Sequence, residues 1–186
     1  ILTRLVGSEM CIRDSSVVVC CHNEAPRVAG FHEALRPALN HAAACGVHVQ
    51  VVAVNHGSTD GTAEALEALR ERAGWTVVHQ TRTRPSKKEA LEAGMAAATG
   101  QVVLVTDIDC TPLAPEWLEA MMRGASAQWD VCVGLSLPGR GAGWLHVLQQ
   151  LEAERSAQKA VGAVVRGRPY LGFGRNMAFT LSLIHI

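Results

Sequence analysis

The chain has 186 residues, 48% hydrophobic and 18% charged, with 17 basic and 17 acidic residues and no formal net charge. That length suits one domain with a packed core. The charge balance gives no electrostatic basis for binding nucleic acid, so no nucleic-acid partner is expected, and no apolar run approaches the roughly 18 residues of a membrane span.

The two ends are set apart from the rest. The closing LSLIHI back-translates to CTG TCT CTT ATA CAC ATC. Its reverse complement, one frame over, encodes Met10-Cys11-Ile12-Arg13-Asp14 and begins a serine codon. Two independent peptides rarely share such a frame, so 1–15 and 181–186 are read as translated transposon-adapter sequence and excluded from fold reasoning. One folded domain is expected over 16–180, truncated at both ends.

Within it, short apolar runs alternate with helical patterns. Strands are predicted at 17–21, 49–54, 76–79, 102–106 and 131–135, with helices near 25–44, 60–73, 86–99 and 115–127. Phe31, Leu35 and Leu39 recur at helical spacing in the first helix, and Ala63, Leu66 and Leu69 in the second. Thr59-Asp60-Gly61-Thr62 supplies a cap and a first-turn acid. Ser86-Lys87-Lys88-Glu89 is a capping box, closed downstream by Gly100. Pro115 suits the first turn of the fourth helix, ahead of Trp117, Leu118 and Met121. Residues 138–142 read as a loop, and an amphipathic helix begins with Trp144, Val147, Leu148 and Leu151. The alternation implies βαβ units, a mainly parallel sheet with helices on both faces, and strand carboxyl ends sharing one edge.

Cysteines give a negative expectation. None forms a C-x-x-C pair, and neither the cysteines nor the eight histidines show zinc-ligand spacing. Cys20, Cys21, Cys45, Cys110 and Cys132 are expected as buried free thiols suited to a reducing compartment.

Three strand ends carry polar turns: Cys21-His22-Asn23-Glu24, then Asn55-His56-Gly57-Ser58-Thr59-Asp60, then Thr106-Asp107-Ile108-Asp109-Cys110. Open α/β sheets bind ligands at such an edge. SVVVCCHNE, VVAVNHGSTDGTAEAL, SKKEALEAGMAAATG, VVLVTDIDC with Trp117-Leu118, and GFGRNMAF together resemble the family 2 glycosyltransferases, especially bacterial membrane-anchored members. The resemblance covers nearly all of 16–180, with five motifs in order.

It implies a GT-A fold, a nucleotide-sugar donor and a divalent metal, Mg²⁺ or Mn²⁺, which favours carboxylate and phosphate oxygen and assists the leaving diphosphate. Asp109 would be the metal ligand, and Asp107 would contact the ribose or a metal-bound water. His22 stands where the family often has an aromatic against the base. Asn23 and Glu24 either cap the following helix or touch donor. Asn55 and His56 replace the family's usual pair of acids, or acid and amide. His56 could still read a base edge, but leaves the donor base open. Lys87 would lie near the donor, within a basic stretch that includes Arg82, Arg84 and Lys88. Arg175 and Asn176 would shape the acceptor pocket, for a glycan or a lipid-linked acceptor.

The resemblance further implies inversion by a carboxylate base that follows NMAF by a few dozen residues, beyond this chain, so no acid here is assigned that role. It implies membrane association through a missing C-terminal region, at the cytoplasmic side of the inner membrane. Two other readings stay open: a nucleotidyltransferase of related fold, disfavoured by the lack of a Gly-rich loop after strand one, and a non-catalytic nucleotide-binding member of the same family.

Overall fold

Runs of valine set the strands of the central sheet, because β-branched side chains suit a pleated surface buried on both faces. The computed structural model describes residues 14–81, 86–126, 129–139 and 141–183. Its elements run β1 (Asp14–Cys21), α1 (Ala25–Ala44), β2 (His48–His56), α2 (Thr62–Ala73), β3 (Thr76–Gln80), α3 (Lys87–Ala97), β4 (Val102–Asp107), α4 (Trp117–Ser126), β5 (Val131–Val133), α5 (Trp144–Val165) and β6 (Asn176–Thr180). A 3₁₀ turn, Leu181–Leu183, follows.

The sheet order is β3-β2-β1-β4-β6-β5. β1 pairs in parallel with β2 and β4, and β2 with β3. β6 was not foreseen as a strand. It inserts antiparallel between β4 and β5, so β5 pairs with β6 and not with β4. The sheet is thus mainly parallel, as expected, with one reversed strand.

Alternation along β1 divides the core. Val19 and Cys21 pack with Phe31 and Leu35 of α1 and Leu66 and Leu69 of α2. Val17 packs with Ala38 and Ala42 of α1 and with Leu118 and Met122 of α4. Val18 faces the other way, onto Ala90 of α3 beside Val52, Val54 and Val103. Helices therefore cover both faces, with α3 opposite α1, α2 and α4. α3 lies close to the sheet because Gly94 has no side chain: a Cβ there would meet Val18 Cγ1 at 2.4 Å.

Local starts differ from expectation in two places. The Cα before α2 is Gly61 at φ 89°, and Asp60 Oδ1 accepts from the Thr62 amide from outside the helix. α4 begins at Trp117, so Pro115 precedes its first turn. Half of the Ser86 box forms as read, Ser86 Oγ accepting from Glu89 N, while the Ser86 amide donates to His56 instead of to the Glu89 carboxylate. β1 begins at Asp14, and Ser15 is buried. The segments read as adapter therefore overlap the first strand by two residues and the 3₁₀ turn by three, while 1–13 and 184–186 lie outside the described residues, as do Arg82, Arg84 and Arg140.

α5 forms where the amphipathic pattern placed it, but Trp144, Val147, Leu148 and Leu151 are at least half exposed while Ala157, Ala160 and Ala163 are buried. Among the described residues no helix is long and apolar enough to cross a membrane.

Candidate active site

Strand register puts the three polar turns side by side. Cys20 lies opposite Asp107 on β4, and Cys21 opposite Asn55 on β2. The strands' ends border an open cleft of about 320 Å³, walled by His22, Glu24, His56, Lys87, Asp107 and Asp109, with Cys20 and Cys21 at its base. Asn23, Asn55, Arg175 and Asn176 lie outside that lining.

The first and second turns are stapled together. Asn23 adopts φ 57°, a left-handed conformation that asparagine tolerates better than most residues. Its amide donates to Ser58 Oγ at 3.0 Å, and its side-chain Oδ1 accepts from the Thr59 amide at 2.9 Å. The Glu24 amide donates to Thr62 Oγ1 at 2.8 Å, and the Ala25 amide to Asp60 Oδ2 at 3.2 Å. The Thr62 hydroxyl beside Asp60 holds its carboxyl below the usual range. Glu24 precedes α1 without capping it, since its carboxylate pairs with Arg27. Of the two roles considered for Asn23 and Glu24, neither side chain caps α1. Asn23 instead ties two turns together, and Glu24 faces the cleft.

Both polar groups of Asn55 point into the protein. Oδ1 accepts from Ser58 N at 3.3 Å, and Nδ2 donates to His79 Nδ1 at 3.1 Å, leaving the other His79 nitrogen to bond Glu67 at 2.7 Å.

His56 is only 3% exposed, and both ring nitrogens are used. Nε2 accepts from the Ser86 amide at 2.7 Å. Nδ1 must then carry the proton, and it donates to Gln80 Oε1 at 2.6 Å. In this arrangement the ring offers the cleft its edge but no spare hydrogen-bonding atom. It instead fixes Ser86, the cap of α3, and so sets the start of the helix that presents Lys87. Lys87 Nζ lies 2.6 Å from Asp107 Oδ1. Lys87 is 58% exposed, so the pair adds little stability, about 0–1 kcal/mol, and its interest is positional.

His22 donates from Nδ1 to the His56 carbonyl at 2.7 Å, which leaves Nε2 as an acceptor beside the Asn23 side-chain Nδ2, 3.4 Å away. The ring is exposed at the rim. Asp109 is also exposed, and its Oδ1 lies 3.7 Å from the Cys110 thiol, a weak donor.

Burial pushes the Cys20 thiol up to about 11 and the Cys21 thiol up to about 12. Both stay protonated at neutral pH; Cys20 is partly buried beside Asp107 and Lys87, while Cys21 packs into the core under α1 and α2. Of the five thiols expected to be buried, Cys21 is, Cys20, Cys110 and Cys132 are partly buried, and Cys45 is exposed at the end of α1.

On the β6 side, Asn176 is a strut. Oδ1 accepts from Trp117 Nε1 at 3.0 Å, and Nδ2 donates to the Leu135 carbonyl at 2.8 Å. Arg175, next to it, is exposed and donates from Nε to Ser136 Oγ at 2.7 Å.

The model of the family described as "Glycosyl transferase family 2" matches residues 16–180 of this chain. The chain belongs to that family. Over 130 residues it is 30% identical to an undecaprenyl-phosphate 4-deoxy-4-formamido-L-arabinose transferase of Pseudomonas paraeruginosa, a match covering 69% of this chain and 37% of that protein. Among solved structures, a mannosyltransferase of Pyrobaculum calidifontis in complex with GDP-Man and Mn²⁺ superposes with a TM-score of 0.65 at 24% identity, over 92% of this chain and 45% of that one. Glucosyl-3-phosphoglycerate synthase of Mycobacterium tuberculosis, with Mn²⁺, UDP-glucose and phosphoglyceric acid, superposes with a TM-score of 0.59 at 21% identity, over 92% and 58%. The chain therefore spans between about a third and three fifths of the length of these relatives. This family 2 chain has the GT-A fold of those neighbours: a mostly parallel α/β sheet carrying its polar turns on one edge.

Proposed function

We propose that this chain is the donor-binding part of an inverting glycosyltransferase that moves a sugar from a nucleoside diphosphate-sugar to an acceptor hydroxyl with the help of a divalent cation. The convergence of Asp107, Asp109 and Lys87 on one cleft at the strands' carboxyl ends carries this reading. The donor set fits the implied ion: two carboxylates one residue apart, one of them exposed, offer only hard oxygen, the preference of Mg²⁺ and Mn²⁺. Asp109 would hold the ion, with Asp107 beside it or on the ribose. When bound, such an ion neutralises charge that builds on the departing diphosphate.

On the donor side, the remaining roles fall to residues of this chain. Lys87 meets the same phosphate charge from α3, at the position that His56 and Ser86 give it. His22 and Glu24 form the opposite rim, where the base and ribose would lie. The inward turn of Asn55 and His56 leaves base selection to rim groups and backbone. Arg175 stands where an acceptor with an anionic group would approach. The deprotonating carboxylate is assigned to the part of the relatives' length that this chain does not span. The name of the arabinose transferase relative supports a lipid-linked acceptor, and with it a protein working at the cytoplasmic face of a membrane.

Calorimetric titration of UDP and GDP, with and without Mn²⁺, tests the core of this reading. Mn²⁺ should tighten binding of one nucleotide by at least about tenfold, and Asp109→Asn should remove that gain. Nucleotide binding indifferent to both Mn²⁺ and Asp109→Asn would eliminate the metal assignment.

A further inference from the structure

A second group of metal-ligating side chains meets at the far end of the domain. α1 leaves the cleft after β1 and runs for 20 residues, about 30 Å, so its C-terminus lies well away from Asp107 and Asp109. His41 lies in its last turn and Cys45 directly follows it, four residues on and so on the same face. Glu119, from the first turn of α4, packs against both.

The spacing of the ligand atoms is that of a metal coordination edge. His41 Nε2 lies 2.8 Å from Glu119 Oε2, Cys45 Sγ lies 3.7 Å from His41 Nε2, and Cys45 Sγ lies 3.8 Å from Glu119 Oε2. Usual zinc–sulfur and zinc–nitrogen or –oxygen bond lengths at tetrahedral angles give edges of about 3.6 Å to sulfur and about 3.3 Å between the lighter atoms. Both sulfur edges are therefore nearly in place. The nitrogen–oxygen edge must open by about half an ångström, the step from a hydrogen bond to two metal bonds.

Two surroundings favour a cation here. Arg123 Nη2 holds Glu119 Oε1 at 2.6 Å, orienting the carboxylate so that Oε2 points at His41 and Cys45. The site also sits at a helix C-terminus, where unpaired carbonyl dipoles attract positive charge.

We infer that His41 Nε2, Cys45 Sγ and Glu119 Oε2 form a binding site for a borderline-soft divalent cation of the Zn²⁺ class, with water as fourth ligand. Thiolate and imidazole select such a cation over the Mg²⁺ or Mn²⁺ suited to the all-oxygen pair in the cleft. On binding, the Cys45 thiol proton leaves to solvent as the metal–sulfur bond forms, and the proton that His41 Nε2 donates to Glu119 Oε2 also leaves that nitrogen to solvent, the neutral ring then carrying its one proton on Nδ1. The ion then clamps the end of α1 to α4.

Titrating the 186-residue chain with Co²⁺ in a non-chelating reductant reads the site without any activity. A near-ultraviolet thiolate-to-cobalt band and intense visible bands of tetrahedral Co²⁺ are expected, displaced by Zn²⁺ at one equivalent. Cys45→Ser should abolish the thiolate band. Glu119→Gln should keep it but weaken Zn²⁺ binding at least about tenfold. Asp109→Asn should leave the spectrum unchanged. Zn²⁺ should raise Tm of the parent chain and not of Cys45→Ser. A pink, six-coordinate spectrum lacking the thiolate band, a band that survives Cys45→Ser, a band lost in Asp109→Asn, or a Tm indifferent to Zn²⁺ would each overturn the assignment.

Discussion

Replacing His56 with alanine separates a residue that touches donor from one that places another residue. The ring is 3% exposed and makes two protein hydrogen bonds, to Ser86 N and Gln80 Oε1. Each is worth about 1 kcal/mol net, and loss of the buried ring adds a comparable packing term, so His56→Ala should cost about 3 kcal/mol. At a urea m-value of about 2 kcal/mol/M, the unfolding midpoint should fall by about 1.5 M. Nucleotide affinity should fall too, because the start of α3 loses the bond that seats Lys87. If placement is the mechanism, His56→Ala and Lys87→Ala are not additive. In a double-mutant cycle the second substitution should change nucleotide affinity little once the first is present. Fully additive losses in binding, together with an unmoved urea midpoint, would refute the placement role and return His56 to direct contact with the donor.

Two further outcomes are expected from the same structure. Gly100→Ala should be severely destabilising, by more than about 3 kcal/mol in chemical denaturation, because its Cβ would lie 2.4 Å from Ser15 Cα and neither backbone can yield. The thiols should sort by burial: iodoacetamide near pH 8 should modify exposed Cys45 first and leave Cys20 and Cys21 untouched in the folded chain, as mass spectrometry of peptides would show. The same burial sets an alkaline limit. The unfolded thiols ionise near 9.0 while the folded ones hold their protons to about 11 and about 12, so their stabilising contribution is complete below pH 9 and is lost as pH rises through those values. Urea midpoints that stay flat from pH 8 to 11 would contradict it.

The parallel half of the sheet was legible because each of β1, β2 and β4 is a valine run ending in polar residues, a signal that is local. β6 was not, since Asn176–Thr180 is short, follows a glycine-rich stretch and owes its strand form to partners on β4 and β5. The cleft was legible for Asp107, Asp109 and Lys87, whose motifs lie at element ends. His56 was read as facing a ligand because its turn does. Its inward orientation depends on Gln80 and Ser86, 24 and 30 residues away. The His41, Cys45 and Glu119 cluster was missed for the same reason. The four-residue spacing of the first two stands in the sequence, but the third ligand arrives from 78 residues beyond His41. Local pattern reports which face a residue occupies, while convergence of three groups is set by how helices cross.

The reversal of β6 has a consequence for how such a molecule can diversify. A parallel strand brings its end to the cleft, whereas an antiparallel one brings its beginning. Asn176 lies opposite Thr106, so the chain enters the sheet at the edge where β4 runs out into Asp107. Everything between β5 and β6, including all of α5, is therefore an excursion from the sheet whose returning arm lands beside Asp107. Its length and surface can change without shifting any strand that holds Asp107, much as an interchangeable jaw is fitted to a fixed vice.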